Sequence, residues 1–115
     1  MQTPYGNHEK GPHRNIRKSQ ISPQRQWLVG EMQSLNSGWI KHLVVANHQP
    51  LSSPAPKKRP RRKLTGPRQR PMELPTGDFM LKEPVLNLFD YIDELGDGTI
   101  MIEVSNGLPV DVTIE

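Results

Sequence analysis

The sequence contains no cysteine, few aromatic residues and no long hydrophobic run, and these absences exclude several classes of protein. Without cysteine, disulfide bonds and cysteine-ligated zinc sites cannot form. No apolar run approaches the ~18 residues that a membrane-spanning helix needs, and the N-terminus lacks the apolar segment of a secretory signal peptide. We therefore expect a cytoplasmic protein without a membrane partner, or a nuclear one if the source is eukaryotic or viral.

The chain is also poor in the residues that build a hydrophobic core. Apolar residues make up 33% of its 115 residues, and it contains 12 prolines. Ordinary globular chains reach roughly 45–50% when glycine is counted as well. We predict an α+β protein in two parts. Residues 1–77 form a basic, proline-rich, largely disordered arm, and residues 78–115 form an acidic module of one helix and one β-hairpin.

Charge is divided unevenly between the two halves of the chain. Residues 1–71 contain 14 lysines and arginines and two acids, a net +12, whereas residues 72–115 contain one lysine and ten acids, a net −9. The two values give the formal net charge of +3. Such asymmetry is typical of a tail that binds nucleic acid or another acidic partner. The alternative is that the arm lies on its own acidic module.

Within the arm, only residues 25–48 carry an apolar cluster. Its first residues stand at loosely helical spacing: Trp27, Leu28, Met32 and Leu35. This spacing predicts at most a marginal helix over residues 25–35, and residues 39–46 fit either a short strand or a further helical turn. Residues 49–77 contain seven prolines, and that density favours an extended chain.

The acidic module begins with an amphipathic helix. Its apolar residues recur at the spacing of one helical face: Leu81, Val85, Leu88, Phe89, Ile92 and Leu95. That spacing predicts a helix. Pro84 is acceptable only in the first turn, where its missing N–H is not needed. Gly96 stands where a left-handed residue ends a helix, so the helix is expected to stop just before it.

Two strands with alternating apolar residues follow the helix and predict a β-hairpin. A two-residue turn at Asn106 and Gly107 would put the two apolar rows on opposite faces of the hairpin. A three-residue loop that begins at Ser105 would instead pair Ile102 with Val110 and put both rows on one face. We therefore predict the three-residue loop.

The module is too small to be stable by itself. The thirteen apolar side chains of its helix stripe and its two hairpin rows bury too little surface to offset the ordering of ~35 residues, and domains below ~40 residues usually need a disulfide, a metal or a partner. Since the sequence offers no cysteine and no metal site, we predict a homo-oligomer or a protein partner, with hairpins joined edge to edge or helices stacked. The side chains expected to associate are Leu88, Phe89, Ile92, Ile102 and Val110.

The C-terminal segment, residues 86–115, resembles the small YezD-like bacterial proteins of unknown function. Those proteins show a short amphipathic helix, a G-[ST]-[IV]-x-[IV] strand, an Asp/Asn-Gly turn and a final V-x-I strand. The matching residues here are Ile92, Leu95, Gly98, Thr99, Ile100, Ile102, Val104, Gly107, Val110 and Ile114. The resemblance implies the helix-and-hairpin fold and a bacterial source, and it implies no activity.

The most prominent motif is a basic run in the arm. Clustered cations on an extended chain contact phosphates and release counterions, which gives salt-sensitive and sequence-tolerant binding. The residues predicted to bind DNA or RNA are Lys57, Lys58, Arg59, Arg61, Arg62, Lys63, Arg68 and Arg70. A nuclear import signal and a solvated linker without a partner are alternatives. Trp27 and Trp39 are candidates either for stacking on bases or for local packing.

No catalytic, cofactor or metal site is predicted. The acids Asp90, Asp93, Glu94 and Asp97 do not have the spacing of a calcium loop, and the four histidines lack ligand spacing. The module is also too small to enclose a catalytic pocket. We expect a non-enzymatic binding protein whose arm contacts nucleic acid and whose module self-associates. The alternative is a protein-interaction or regulatory module whose arm is inert, or is not translated because the true start codon lies further downstream.

Overall fold

The described residues, which are 14–62, 64–65 and 77–115 of a computed structural model, form two α-helices and one antiparallel sheet. The elements in chain order are a 3-10 turn Lys18–Gln20, α1 Pro23–Leu35, β1 Gly38–Ala46, β2 Gln49–Pro50, β3 Lys57–Pro60, α2 Glu83–Leu95, β4 Gly98–Ser105 and β5 Leu108–Ile114. The strand order is β2-β1-β4-β5, and β3 pairs with the same edge of β1 as β2. No described helix is long and apolar enough to cross a membrane.

The helix predicted in the C-terminal half is confirmed as α2. Pro84 occupies its first turn, where no intrahelical donor is required. Gly96 follows the last helical residue with a φ of 75°, and its N–H donates to the Ile92 carbonyl at 3.0 Å. The residues that α2 buries are Val85, Leu86, Leu88, Phe89 and Ile92. The amphipathic pattern therefore predicted both the element and the face that it buries.

The predicted hairpin follows α2, but the prediction of a three-residue loop is wrong. The loop has two residues, Asn106 and Gly107, and the strands close on the pair formed by Ser105 and Leu108. Asn106 and Gly107 have positive φ values of 53° and 78°. That conformation matches the twist of the flanking strands in a two-residue hairpin, so the Asn-Gly sequence decides the turn.

A β-bulge in β5 restores the common apolar face that the three-residue loop was expected to provide. The ladder shifts by one residue after the pair Val104 and Pro109, so that Val110 is the extra residue and Ile102 pairs with Val112. Ile102 is fully buried, whereas Val110 is 58% exposed. The predicted pair of Ile102 and Val110 is therefore wrong, because a bulge changes the face of every residue beyond it.

The first half of the chain supplies α1 and three of the five strands. Helix α1 begins at the N-cap Ser22, whose hydroxyl accepts the Arg25 N–H at 3.2 Å, and Pro23 takes the first helical position. Its buried residues are Leu28, Val29 and Met32. Of the two structures predicted for residues 39–46, the strand is the one that forms.

The mixed α+β class is confirmed, but the predicted layout, an isolated C-terminal module beside a disordered arm, is wrong. Strand β1 pairs with β4 from Gly38 to Val45, so the first half shares one sheet and one core with the module. The cause is that the module leaves one edge of β4 and part of its apolar face uncovered, and the first half covers both. The parts of the predicted arm at residues 1–13, 63 and 66–76 lie outside the described residues.

The two halves of the described structure are copies of one α-β-β unit. Residues 22–51 (the first repeat) align with residues 82–110 (the second repeat), helix on helix and hairpin on hairpin, with His42 as one additional residue. The positions with identical residues are Leu28 and Leu88, Leu35 and Leu95, Gly38 and Gly98, Ile40 and Ile100, Val45 and Val104, Asn47 and Asn106, and Pro50 and Pro109. The chain therefore contains an internal repeat.

A pseudo-twofold axis between β1 and β4 relates the two repeats. Gly38 pairs with Val104, and their equivalents Gly98 and Val45 also pair. Two backbone hydrogen bonds follow the same symmetry: His48 N–H to the Gly96 carbonyl at 2.8 Å, and Gly107 N–H to the Asn36 carbonyl at 2.7 Å. Each hairpin turn thus donates to the C-terminus of the other repeat's helix, where carbonyls lack helical partners. The second repeat finds in the first repeat the edge-to-edge partner that was expected from another chain.

The hydrophobic core lies between the two helices and one face of the sheet. The sheet residues in it are Ile40, Leu43, Val45, Ile100, Ile102 and Val104. Because side chains alternate along a strand, the intervening residues face away from the helices, on a side that we call the open face. Its residues in the two central strands are Trp39, Lys41, Val44, Thr99, Met101 and Glu103, all partly exposed. No described helix packs on the open face.

Candidate nucleic-acid interface

Part of the predicted basic run forms an edge strand of the sheet. Strand β3 pairs antiparallel with the first residues of β1, from Gly38 to Lys41. The N–H of Arg61 donates to the Ser37 carbonyl at 2.9 Å and extends this pairing by one residue. All four residues of β3 are exposed. Lysine and arginine are well suited to this position, because charge on an edge strand discourages pairing with other chains.

In the first repeat, β2 and β3 together occupy the position that β5 has in the second repeat. Residues 51–56 leave the sheet after β2, and the chain returns to it as β3. The register shows the equivalence, since Lys57 pairs with Lys41 as Thr113 pairs with Met101. The repeat geometry therefore fixes the basic run on the sheet.

The register places the cations of β3 on two different sides of the sheet. Lys57 and Arg59 pair with open-face residues of β1 and lie on that face. Lys58 lies on the helix side, where its ammonium contacts the Glu31 carboxylate at 2.8 Å. An exposed pair of this kind contributes little to stability, but it directs Lys58 away from the open face.

Trp39 lies on the open face among these cations. The Arg61 guanidinium carbon is 5.2 Å from the centroid of the Trp39 ring, which is within the range of a cation–π contact. The same guanidinium donates to the Glu103 carboxylate at 3.2 Å. Trp39 is not among the residues that pack on the core, whereas Trp27, the other candidate for stacking, is. The packing alternative thus applies to Trp27.

Charge on the open face follows the two repeats. On the side of the first repeat the charged residues are Lys41, Lys57, Arg59 and Arg61. On the side of the second repeat they include Glu103 and Asp111, and Glu115 continues β5 opposite Thr99, where its N–H donates to the Thr99 carbonyl at 2.9 Å. The backbone symmetry alone would make the two sides alike, so this polarity comes from the side chains. The cationic side is therefore the part of the sheet that suits an anionic ligand.

The predicted nucleic-acid-binding residues fall into three groups. Those without an acidic partner among the described residues are Lys57, Arg59 and Arg62. Those with such a partner are Lys58 and Arg61. Those outside the described residues are Lys63, Arg68 and Arg70. Cations of the first group can meet an external phosphate without first breaking an ion pair.

Most side chains predicted to mediate self-association lie in the core of the chain itself. Those at most 4% exposed are Leu88, Phe89, Ile92 and Ile102. Val110, the bulge residue, is 58% exposed. The four buried side chains pack within the chain because α1 and β1 cover the module. They present no surface to a second copy.

The acids of α2 are engaged by arginines from the first half of the chain. Arg14 donates to Glu83 at 2.7 Å and to Asp90 at 2.8 Å. Arg25 pairs with Asp93, and its guanidinium carbon lies 5.1 Å from the ring centroid of Phe89. For these two arginines, the basic half does lie on its own acidic module. The described residues contain no group of three His, Cys, Asp or Glu that could hold a metal ion.

Sequence reasoning missed Lys41 as a member of the cationic cluster. It stands alone in its segment, 16 residues before Lys57, and only the pairing of β1 with β3 brings the two side chains together. The available signal was the internal repeat. Aligning β1 with the predicted strand β4 puts Lys41 at the position of Met101, on the side of the strand that faces away from the core.

Comparisons with known proteins assign no family to the chain. No family model, no curated protein and no solved structure matches it. The resemblance of residues 86–115 to YezD-like proteins remains a prediction, and the function is argued from the residues themselves.

Proposed function

We propose that this protein is a non-enzymatic nucleic-acid-binding protein that contacts phosphates through β3 and the residues that follow it. The observation that carries the proposal is the exposed cationic edge strand. Lys57 and Arg59 have fixed positions on the sheet, have no acidic partner in the described part of the chain, and lie beside Lys41. Binding of this kind is electrostatic and tolerant of sequence.

Cations held on a β-strand should bind a ligand better than the same cations on a free basic tail. Side chains two residues apart on a strand lie about 7 Å from each other on one face, so Lys57 and Arg59 meet a ligand together. Their backbone is already ordered by pairing with β1. Less conformational entropy is lost on binding when the contacting groups are held in place beforehand.

The second repeat has a structural role in this proposal. It is acidic and supplies β4, which pairs with β1 along the edge opposite β3. Its acids engage Arg14 and Arg25 on the helix side, at a distance from β3. Among the described residues, four cations without an acidic partner lie together at the β3 edge, namely Lys41, Lys57, Arg59 and Arg62, whereas two others, Lys18 and Lys82, lie elsewhere.

The test is binding of a labelled duplex DNA, a duplex RNA and a single strand at several salt concentrations, measured by fluorescence anisotropy. We expect weak binding to all sequences, with an affinity that falls as salt rises. Replacing Lys57, Lys58, Arg59, Arg61, Arg62 and Lys63 with alanine should abolish it. Unchanged affinity of that variant, with a wild-type circular dichroism spectrum, would refute the role of the basic run.

A protein-interaction module is the second candidate function. The observation that favours it is the outer edge of β5, where Val110 is 58% and Ile114 is 57% exposed. Exposed apolar side chains on an unpaired edge strand are suited to pairing with another chain, including a second copy. Absence of nucleic-acid binding at low salt, together with a concentration-dependent mass in sedimentation equilibrium, would favour this candidate.

A further inference from the structure

We infer that the ligand of the open face is a single-stranded nucleic acid, with one base stacked on Trp39 and the flanking phosphates at Lys57 and Arg59. The inference rests on the proposed function and adds the class of nucleic acid and a residue outside the basic run. Single strands are typically held by cations that follow the backbone and by aromatic side chains on which bases stack. The open face combines both features.

The position of Trp39 is the first argument. Its strand neighbour Ile40 is buried in the core, whereas Trp39 faces the other way and stays partly exposed. The equivalent residue of the second repeat is Thr99, so the fold does not require a large aromatic side chain there. Trp39 therefore has no evident packing role within the described structure, and a ring on a solvent-facing sheet offers a surface for stacking.

The contact between Arg61 and Trp39 shows that a flat cationic group already fits over the ring. The Arg61 guanidinium carbon lies 5.2 Å from the ring centroid. Its other interaction is an exposed ion pair with Glu103, and pairs of this kind are weak. A base takes the place of the guanidinium on the ring, and Arg61 turns to a neighbouring phosphate.

The charges around Trp39 determine the path that the nucleic-acid backbone takes across the sheet. Arg59 is the cross-strand partner of Trp39 on one side, and Glu103 is its partner on the other side. Lys57 and Lys41 form the next pair along the same two strands. The phosphates therefore follow β1 and β3, and the acids of β4 and β5 keep the backbone away from the second repeat.

A duplex fits the open face less well than a single strand. Its bases are stacked inside the helix and cannot reach a ring that lies on a sheet. The described part of the open face also presents no helix that could enter the major groove. A duplex would meet only the cations at the edge, and it would gain nothing from Trp39.

Fluorescence of Trp39 provides the direct test. In the full chain carrying Trp27→Phe, Trp39 is the remaining tryptophan, and oligo(dT) of about 12 nucleotides covers a typical single-strand site. We expect this probe to quench the emission as it binds, because a stacked base contacts the ring. A duplex of the same length should bind more weakly and leave the emission unchanged. Equal affinity for both probes, or an unchanged emission on binding oligo(dT), would overturn the inference.

Substitution of Trp39 separates stacking from structure. Trp39→Leu should weaken oligo(dT) binding about tenfold and leave duplex binding as it is, whereas Trp39→Phe should restore most of the affinity. A uniform loss in both variants would indicate a structural role and contradict the inference. Thermal denaturation of each variant verifies that the fold is retained.

A matched pair of charge variants tests the face that is used. Lys57→Ala with Arg59→Ala removes two cations from the open face, and Lys18→Ala with Lys82→Ala removes two cations that lie outside the basic run and the open face. Only the first variant should reduce the salt dependence of oligo(dT) binding, by a slope of about 1.4, because each phosphate contact on a single strand contributes about 0.7. Equal effects of the two variants would contradict the inference. If neither oligo(dT) nor duplex binds at low salt, the proposed function fails as well.

Discussion

A methyl group added at Gly38 should detach β3 from the sheet without touching any of its cations. Gly38 has a φ of 143°, and a Cβ built on it would lie 2.1 Å from the Arg59 carbonyl oxygen, where at least 3.0 Å is needed. The obstacle is backbone, so no rotation of a side chain relieves it. In Gly38→Ala, β3 must therefore move away from β1 and lose its pairing.

The repeat provides the control, because Gly98 is the equivalent of Gly38. Its φ is also positive, at 158°, but the three atoms nearest to an added Cβ would all belong to the flexible Leu95 side chain, the first at 3.3 Å. The unfavourable backbone conformation costs both alanine variants about 1–3 kcal/mol. All four residues of β3 are exposed, so detaching β3 from the sheet exposes little apolar surface that was buried. Global stability should thus fall by similar amounts in the two variants.

Local opening is what distinguishes the two variants. In Gly38→Ala, trypsin should cleave after Lys57 and Lys58 much faster than in the wild type, because cleavage of a folded segment depends on how often it opens. In Gly98→Ala, the cleavage rate at these two residues should stay near that of the wild type. Peptide mass spectrometry identifies the sites. Equal cleavage rates in both variants would refute the close packing of β3 on β1.

Two further predictions concern stability. Ile102→Ala should lower the free energy of unfolding by about 2–5 kcal/mol because it leaves a cavity in the core. Val110→Ala at the exposed bulge should change that free energy by less than about 0.5 kcal/mol. Equal losses for the two variants in urea denaturation would contradict the bulge. The N–H and hydroxyl of Ser19, with Arg17, lower the pKa of Asp78 below its ordinary 3.8. An acid whose pKa is lower in the folded state stabilises the fold at pH values above its unfolded-state pKa, so this contribution should disappear as the pH falls below 3.8. In Asp78→Asn, the free energy of unfolding should therefore depend less on pH in that range.

The second repeat was predictable from sequence because its local signals agree. The apolar stripe of α2, the proline in its first turn and Gly96 at its end all indicate the same helix. The hairpin register was not predictable by the same reasoning. Alternation assumed an uninterrupted strand, whereas the Asn-Gly turn imposes two loop residues and Val110 absorbs the mismatch as a bulge.

The first repeat was not predicted from the sequence because the apolar patterns of its helix and strands are interrupted. Helix α1 carries the polar residues Arg25 and Gln26 at positions where α2 has the buried residues Val85 and Leu86, so its apolar stripe is narrower. His42 interrupts the alternation of β1, and prolines interrupt the second strand of its hairpin. Only comparison of the chain with itself, at a spacing of 60 residues, relates Leu35-Asn36-Ser37-Gly38 to the corresponding residues of the second repeat.

The basic run of the candidate site was predictable from the sequence, but Lys41 and the arrangement of the cations were not. The basic run is visible in the sequence, and the identity of its cations needed no structure. Their division between two sides of the sheet depends on the register of β3 against β1, which no local pattern encodes. Lys58 and Arg59 are neighbours in sequence, yet one contacts Glu31 and the other lies on the open face.

Duplication explains how so small a unit is stable and how its two faces acquire different roles. One α-β-β unit leaves the edge of its first strand unpaired, and a second unit related by a twofold axis covers that edge with its own equivalent strand. In two separate chains the units would be identical, and their open faces would carry the same charges. Within one chain each copy can change independently. The core positions stay apolar in both repeats, while Lys41 and Met101 differ on the open face. A symmetric backbone can therefore carry a cationic half for a ligand and an acidic half that pairs with its own arginines.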